Sequence, residues 1–174
     1  MKLDIDKIEL KNINQNIYKI SYDNNNLKFW TPKILIPFGL ENEYNKYIIK
    51  LELTDNPEHE HLKKLILYIE KLIKKKLNIQ DKDNEFKSII KKRENKNDII
   101  ECRIQTIKNS IITSIEYEDK ENDYLKTIYD LSKFSNVKVQ FEINGLWDYR
   151  SEKNEKNKVG LIVYANKIIV LKQH

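Results

Sequence analysis

The side chains in this sequence that are most able to do chemistry are basic and aromatic. It contains 32 Lys and Arg residues, and ten Tyr, five Phe and two Trp residues are spread among them. Lysine and arginine bind phosphate groups, and aromatic rings offer flat faces for base stacking, worth about 1–3 kcal/mol per base. This combination is typical of proteins that bind single strands without reading their sequence. We therefore predict a nucleic-acid-binding surface with these members: Lys33, Tyr44, Lys50, Lys87, Lys91, Lys92, Arg93, Arg103, Lys108, Lys138, Trp147, Tyr149 and Arg150.

For two members of this set, the assignment to the binding surface depends on which side of their strand they lie on. Cys102 and Ile104 alternate with Arg103 and are expected to face inward, which places the guanidinium on the outer side of its strand. A salt bridge at the rim of the fold would explain that arginine equally well. Trp147 follows Gly145, and a bulge at this glycine would switch the facing of the indole. A core position for Trp147 therefore stays open.

The charge distribution points to the same kind of partner. The net charge is only +5, because 27 Asp and Glu residues nearly balance the basic ones, and this excludes a histone-like polycation. The excess is confined to residues 58–108, which hold 14 basic and 9 acidic side chains. A concentrated positive region suits a polyanion. Part of it lies on a helix as a solvated face, and the part from Lys87 to Lys108 is expected to line the path of a nucleic acid.

Other chemistries have little support in the sequence. The three glycines stand apart, so neither a phosphate-binding loop nor a dinucleotide fingerprint can form. Cys102 is the only cysteine, which excludes an internal disulfide and is typical of a reducing compartment; we expect a buried thiol. His59 and His61 are two residues apart in a helix, so their rings diverge and we interpret both as surface histidines. We predict no metal and no cofactor.

An enzyme is the third hypothesis for this chain. Glu116, Glu118 and Asp119, or Glu121 and Asp123, could hold a divalent ion for nuclease chemistry. These acidic residues lack the paired lysine and the strand context that such a site requires. We therefore interpret them as loop surface and expect that the protein is not an enzyme.

One segment has the periodicity of a helix. Its apolar residues recur at spacings of three and four: Leu62, Leu65, Ile66, Ile69, Leu72, Ile73 and Leu77. Asn56 is suited to the N-cap and Pro57 to the first helical position, while Lys74 to Lys76 complement the carbonyl end. The spacing predicts an amphipathic helix over about 57–77.

The remaining pattern has the period of strands. Strands are predicted at residues 18–22, 27–30, 47–53, 100–104, 137–143, 159–164 and 167–172, the last two as one strand or two. The polar run 23–26 predicts a hairpin turn between the first two strands. No β-α-β alternation is visible, which favours a mainly β chain with one long helix (α+β) over a doubly wound fold. We expect a single domain over 1–174 with an OB-like antiparallel barrel into which the helix is inserted. The barrel is expected to be closed or partly open, and the partly open form is the more specific prediction.

Two segments resemble a known family. Residues 31–40 read TPKILIPFGL, and residues 145–148 read GLWD and are followed by VGLIV at 159–163 and KIIV at 167–170. Together they resemble the opening and the ending of an OB-fold single-stranded-DNA-binding family of large cytoplasmic DNA viruses, related to the binding proteins of short-tailed phages. In the middle of the chain, only the long helix and the strands after it match in order.

The resemblance implies a non-enzymatic protein that coats single strands in viral DNA replication, recombination or repair, with Lys33 and Trp147 as contacts. It implies replication proteins as partners, although residues 170–174 do not match the acidic tail through which phage relatives recruit them. RNA binding, a homodimer and packaging in the virion stay open. The opening residues lack the apolar run of a signal peptide or membrane span, so we expect a soluble, cytoplasmic protein. The alternative is a virion or transcription-associated scaffold that binds an acidic partner through its Lys-rich helix.

Overall fold

The computed structural model describes residues 3–80, 85–118, 127–151 and 158–172, which form fourteen strands and one long helix. The strands are β1 (Ile8–Asn14), β2 (Ile17–Tyr22), β3 (Leu27–Trp30), β4 (Ile34–Ile36), β5 (Leu40–Glu43), β6 (Lys46–Leu53), β7 (Phe86–Lys87), β8 (Ile90–Arg93), β9 (Lys96–Ile104), β10 (Thr106–Ile107), β11 (Ser110–Ile111), β12 (Ser114–Tyr117), β13 (Ser135–Asp148) and β14 (Val159–Val170), and the helix is α1 (Pro57–Lys76). Within the described ranges, no helix is both long and apolar enough to span a bilayer.

Five of the strands close into a barrel, in the order β4, β6, β9, β14, β13 and back to β4. All neighbours in this ring are antiparallel except β9 and β14, which run parallel where Arg103 pairs with Tyr164. The expected OB-like α+β fold is confirmed, and the barrel is closed. The other strands of the sheet extend this ring: β5 pairs with β6, β8 with β9, β7 and β12 with β14, and β2 and β3 with β13.

The long strand β13 carries the change of facing expected at Gly145. Phe141 and Ile143 are fully buried in the barrel, and the register then shifts between Ile143 and Gly145. After this bulge Leu146 becomes the buried residue and Trp147 turns to the outer surface. Glycine is required at the bulge because a Cβ there would lie 2.5 Å from the backbone oxygen of Tyr18 on the adjacent strand.

The helix forms where the sequence predicts it, between the second and third barrel strands along the chain. Asn56 is the N-cap and accepts a hydrogen bond of 2.8 Å from the backbone N–H of His59, and Leu77 is the C-cap. The apolar stripe is buried against the barrel, where its innermost members are Leu62, Ile66, Ile69 and Ile73.

The prediction of two surface histidines is right for His61 and wrong for His59. His59 is buried, and its Nδ1 accepts a hydrogen bond of 3.0 Å from the backbone N–H of Thr54. Its other ring nitrogen therefore carries the proton and donates to the carbonyl oxygen of Lys33 at 2.8 Å. The ring thus connects the start of the helix to the residue after β6 and to the residue before β4. The helical periodicity alone does not reveal these contacts.

The predicted hairpin between 18–22 and 27–30 is also wrong. β2 and β3 both pair antiparallel with β13, one after the other along the same edge, so they run in the same direction. The turn between them is closed by backbone hydrogen bonds of 2.8 and 3.0 Å between Tyr22 and Asn25. The hairpin partner of β2 is β1. Local periodicity identifies strands and turns, but not which strand lies alongside which.

Candidate nucleic-acid interface

A crevice of about 100 Å³ opens on the outer surface of the barrel, between β7, β8 and β9 on one side and β13 and β14 on the other. Four of the residues predicted from the sequence line it: Lys87, Lys91, Arg103 and Trp147. The remaining lining residues are Ser88, Ile89, Glu101, Gly160, Leu161 and Val163. The fold therefore brings together three cations and an indole that lie up to sixty residues apart in sequence.

The lysine wall of the crevice is held by the helix. Lys87 lies opposite Gly160 in the parallel pair of β7 and β14. Beside it, Glu70 of α1 accepts two hydrogen bonds on one carboxylate oxygen, from the hydroxyl of Ser88 at 3.0 Å and from the backbone N–H of Ile89 at 2.9 Å. Burial raises the pKa of Glu70 despite these two bonds. The carboxylate thus anchors the segment between β7 and β8 on which the crevice depends.

The indole wall is formed by Trp147 lying against the backbone of β14. A Cβ on Gly160 would lie 2.3 Å from Cζ2 of Trp147, so only glycine permits the observed approach. Trp147 also contacts Tyr149, with ring centroids 5.8 Å apart and planes tilted by 42°. Both side chains are half-buried, so each keeps part of its surface accessible.

The charges in the crevice are unevenly paired. Lys91 forms an ion pair with Glu101, its neighbour on β9. Arg103 and Lys87 form no ion pair with any residue that the structure describes, so the salt bridge considered for Arg103 is not formed there. Arg103 stands on the outer side of β9, as expected, because Cys102 and Ile104 on either side of it are buried. Two cations are therefore available to an anion at this surface.

Three of the predicted cations are instead engaged with carboxylates. Arg93 bonds Glu52 on β6 at 2.9 Å. Arg150 makes a bidentate pair with Asp148, with bonds of 3.0 and 2.8 Å, and also donates to the carbonyl oxygen of Leu77 at 3.3 Å. Burial tends to raise the pKa of Asp148, but the bonds from Arg150 hold it below its ordinary value. Arg93 and Arg150 thus link strands and helix.

Lys50 is the third engaged cation. Its ammonium lies 2.9 Å from Glu43 and 3.2 Å from Glu41, both on β5. Burial lowers the pKa of Lys50, and the bonds to these two carboxylates more than reverse this effect, so the pKa stands above its ordinary value. The same ammonium lies 5.8 Å from the centre of the Phe38 ring.

The other predicted members lie outside the crevice. Tyr44 is at the tip of the β5–β6 hairpin and Lys108 is at the tip of the β10–β11 hairpin. Lys138 is on the outer face of β13, nine residues from Trp147, which is roughly 30 Å along an extended strand. Lys33 and Lys92 are exposed at the start of β4 and on β8. These five side chains are not gathered into one site.

Two carboxylates that shape the crevice are absent from the predicted set. Glu101 shares the outer face of β9 with Arg103, as the strand period would have indicated. Glu70 lies four residues after Ile66 and three before Ile73, so the helical period places it on the buried stripe. A charged residue on an apolar stripe is the signal that would have identified it.

Several solved structures share the architecture of this chain, and two of them are phage proteins. One is gp2.5, a single-stranded DNA-binding protein encoded by bacteriophage T7, with a TM-score of 0.55 over 86% of this chain and 88% of that one, at 9% identity. The other is a C-terminal truncation of the single-stranded DNA-binding protein of bacteriophage Enc34, with a TM-score of 0.53 over 97% and 95%, at 15% identity. The chain shares its fold with two phage single-stranded DNA-binding proteins. No protein-family model matches it, and no curated protein sequence does. At these identities the likeness concerns the fold.

Proposed function

We propose that this protein binds single-stranded DNA with little sequence preference and without catalysing a reaction, through the crevice lined by Lys87, Lys91, Arg103 and Trp147. The observation that carries the proposal is the convergence of these four side chains on one outer face of the barrel. Phosphates would be bound by Lys87 and Arg103, which form no ion pair with described residues, and a base would stack on Trp147. Stacking and phosphate contacts tolerate any base, so such a site has little sequence preference.

The shared fold with two phage single-stranded DNA-binding proteins supports this proposal. OB folds commonly bind oligonucleotides on the outer face of their second and third strands, which here are β6 and β9. Arg103 lies on that face. We extend the proposal to a role in DNA replication, recombination or repair, in a virus of the family that the sequence resembles, with the whole chain acting as one domain.

The first experiment uses the two tryptophans as reporters. Trp30→Phe leaves Trp147 as the only tryptophan, and Trp147→Phe leaves only Trp30, which lies outside the crevice and is 42% exposed. We expect oligo(dT) to quench the emission of Trp30→Phe and to leave that of Trp147→Phe nearly unchanged. If the anisotropy of a labelled oligonucleotide stays flat at low salt, the protein does not bind single strands and the proposal is wrong.

The second experiment measures the salt dependence of the same binding. Each phosphate contact to a single strand contributes about 0.7 to the slope of log affinity against log salt, between about 50 and 200 mM. Lys87→Ala and Arg103→Ala should each lower the slope by about this amount. Lys64→Ala, an exposed residue on the helix, is the matched control and should leave the slope unchanged. If Lys64→Ala lowers the salt slope more than Arg103→Ala does, the result would instead favour the scaffold that binds through its helix.

A further inference from the structure

We propose that a second base-stacking surface lies beside the crevice, formed by Phe38, Tyr44, Tyr129 and Phe134 and called the aromatic platform below. It rests on the proposed function, because its occupant would be further bases of the same DNA strand. Two of its members, Tyr129 and Phe134, come from the connection between β12 and β13, which the sequence-based set of binding residues does not include. The platform would lengthen the stretch of DNA that one molecule covers.

The first observation is where the exposed rings are found. Among the described residues, all exposed Phe and Tyr side chains belong to this group, with exposures of 40% for Phe38, 96% for Tyr44, 61% for Tyr129 and 64% for Phe134. The other Phe and Tyr side chains in those ranges are buried or half-buried. Large exposed apolar groups that cluster in this way mark a surface for a partner.

The connection between β4 and β5, which carries Phe38, is in direct contact with the connection between β12 and β13, which carries Tyr129 and Phe134. The backbone N–H of Phe134 donates to the carbonyl oxygen of Ile36 at 2.8 Å. A Cβ on Gly39, whose φ is +74°, would lie 2.9 Å from the carbonyl oxygen of Leu131. The ring of Tyr129 also packs edge-on against Tyr47 of β6, with centroids 5.7 Å apart. The rings of Phe38, Tyr129 and Phe134 therefore belong to one region of the surface, and Tyr44 lies at the tip of the β5–β6 hairpin next to it.

Two of the rings are presented by backbone that is unfavourable for them. Phe134 has a φ of +62° and Tyr44 a φ of +50°, the left-handed region that is unfavourable for bulky residues. Tyr44 and Asn45 both have positive φ in the two-residue turn between β5 and β6, where Asn and Gly are strongly preferred. Neither ring is buried, so packing does not repay the cost. Such strain is typical of functional positions.

The platform is connected to the crevice across the face of the barrel. The ammonium of Lys50 lies 5.8 Å from the ring centre of Phe38. In the antiparallel pair of β6 and β9, the residue opposite Lys50 is Glu101, which lines the crevice. Neighbouring strands are about 5 Å apart, so a strand of DNA crossing β5, β6, β9 and β8 would traverse about 15 Å. One oligonucleotide can therefore reach both surfaces.

The charges near the platform indicate what it would contribute. Glu41 and Glu43 hold the ammonium of Lys50, so that cation is not available to phosphate. The platform therefore offers ring faces rather than phosphate contacts. We expect it to strengthen binding of longer oligonucleotides without changing the slope of log affinity against log salt.

The test uses variants that should keep the stability of the fold. Tyr44→Asn and Phe134→Gly place favoured residues at positive φ, so both should be as stable as the parent or more stable in thermal melts. Oligo(dT) of about 6 and of about 16 nucleotides, within the range of OB-fold site sizes, is titrated by anisotropy. We expect each variant to bind the longer oligonucleotide at least about five-fold more weakly, with the shorter one and the salt slope unchanged. Ile13→Ala, an exposed apolar residue on β1, is the control.

Two outcomes separate this inference from the proposed function. If neither oligonucleotide binds the parent protein, the proposed function fails and the platform fails with it. If both bind and the variants keep the parent affinity for the longer one, only the platform is refuted. The aromatic surface would then serve another protein.

Discussion

The sharpest test of the crevice is Gly160→Ala, because it moves the indole of Trp147 without removing it. The added Cβ would lie 2.3 Å from Cζ2 and 2.5 Å from Cε2 of that ring. Carbon atoms in contact prefer about 3.5–4.0 Å, so the indole has to retreat by more than about 1 Å. An indole displaced by that distance no longer presents the face on which we propose that a base stacks.

The expected loss follows from the value of one stacked base. Stacking contributes about 1–3 kcal/mol, so Gly160→Ala should weaken oligo(dT) binding by about 5- to 150-fold. The fold should survive, because a half-buried indole at the rim of a crevice can swing toward solvent. Gly145→Ala is the contrasting variant. Its Cβ would meet the backbone oxygen of Tyr18 at 2.5 Å, and because backbone cannot swing away, this variant should be strongly destabilised.

The assay is a double-mutant cycle of Gly160→Ala and Trp147→Ala, followed by anisotropy with labelled oligo(dT) and by thermal melts. If the methyl group acts only through the indole, Gly160→Ala should have no further effect once Trp147 is alanine. The reasoning is refuted if the loss persists in the Trp147→Ala background. It is equally refuted if the indole emission of Gly160→Ala shows that the ring has moved while the affinity equals that of the parent.

Two further predictions concern the carboxylates around the crevice. Glu101→Gln should raise the affinity for oligo(dT) about five-fold at low salt, because it removes a negative charge and releases Lys91. Glu94→Gln, in the exposed turn after β8, is the control. An unchanged affinity for Glu101→Gln would contradict the assignment of the crevice as the binding site. Glu70→Gln keeps an acceptor for Ser88 and Ile89 but cannot ionise. Since burial raises the pKa of Glu70 above its ordinary 4.5, ionisation opposes folding, and the free energy of unfolding of the parent should fall relative to Glu70→Gln as the pH rises from about 4.5 through the raised pKa. Urea titrations at several pH values measure this difference, with Glu58→Gln as control, and parallel curves would show that Glu70 does not titrate in a buried site.

Local order in this chain is readable from its residues. The helix follows from the spacing of Leu62, Ile66, Ile69 and Ile73 and from the Asn56 cap, because both act within a few residues. The alternation in β13 likewise predicts its buried face, whereas the facing of Trp147 stays open in the sequence because it depends on whether a bulge forms at Gly145. From these elements the OB-like class follows, since one helix among short strands leaves few arrangements.

The choice of partners was decided only in the tertiary structure. Arg103 and Arg93 look alike in sequence, yet Arg93 is bonded to Glu52 on another strand, while the side chain of Arg103 forms no ion pair with any described residue. The same holds for β3, which pairs with β13 rather than with β2, and for His59, whose partners are the residue after β6 and the residue before β4.

The physical reason is one of range. Periodicity and capping depend on neighbours three or four residues away, so the sequence alone determines the elements and the side of each that is buried. Pairing of charges, closure of the barrel and convergence of Lys87, Lys91, Arg103 and Trp147 depend on strand register between segments tens of residues apart. A basic and aromatic composition thus points to a nucleic-acid partner. The register of the strands that border the crevice decides which of those side chains meet.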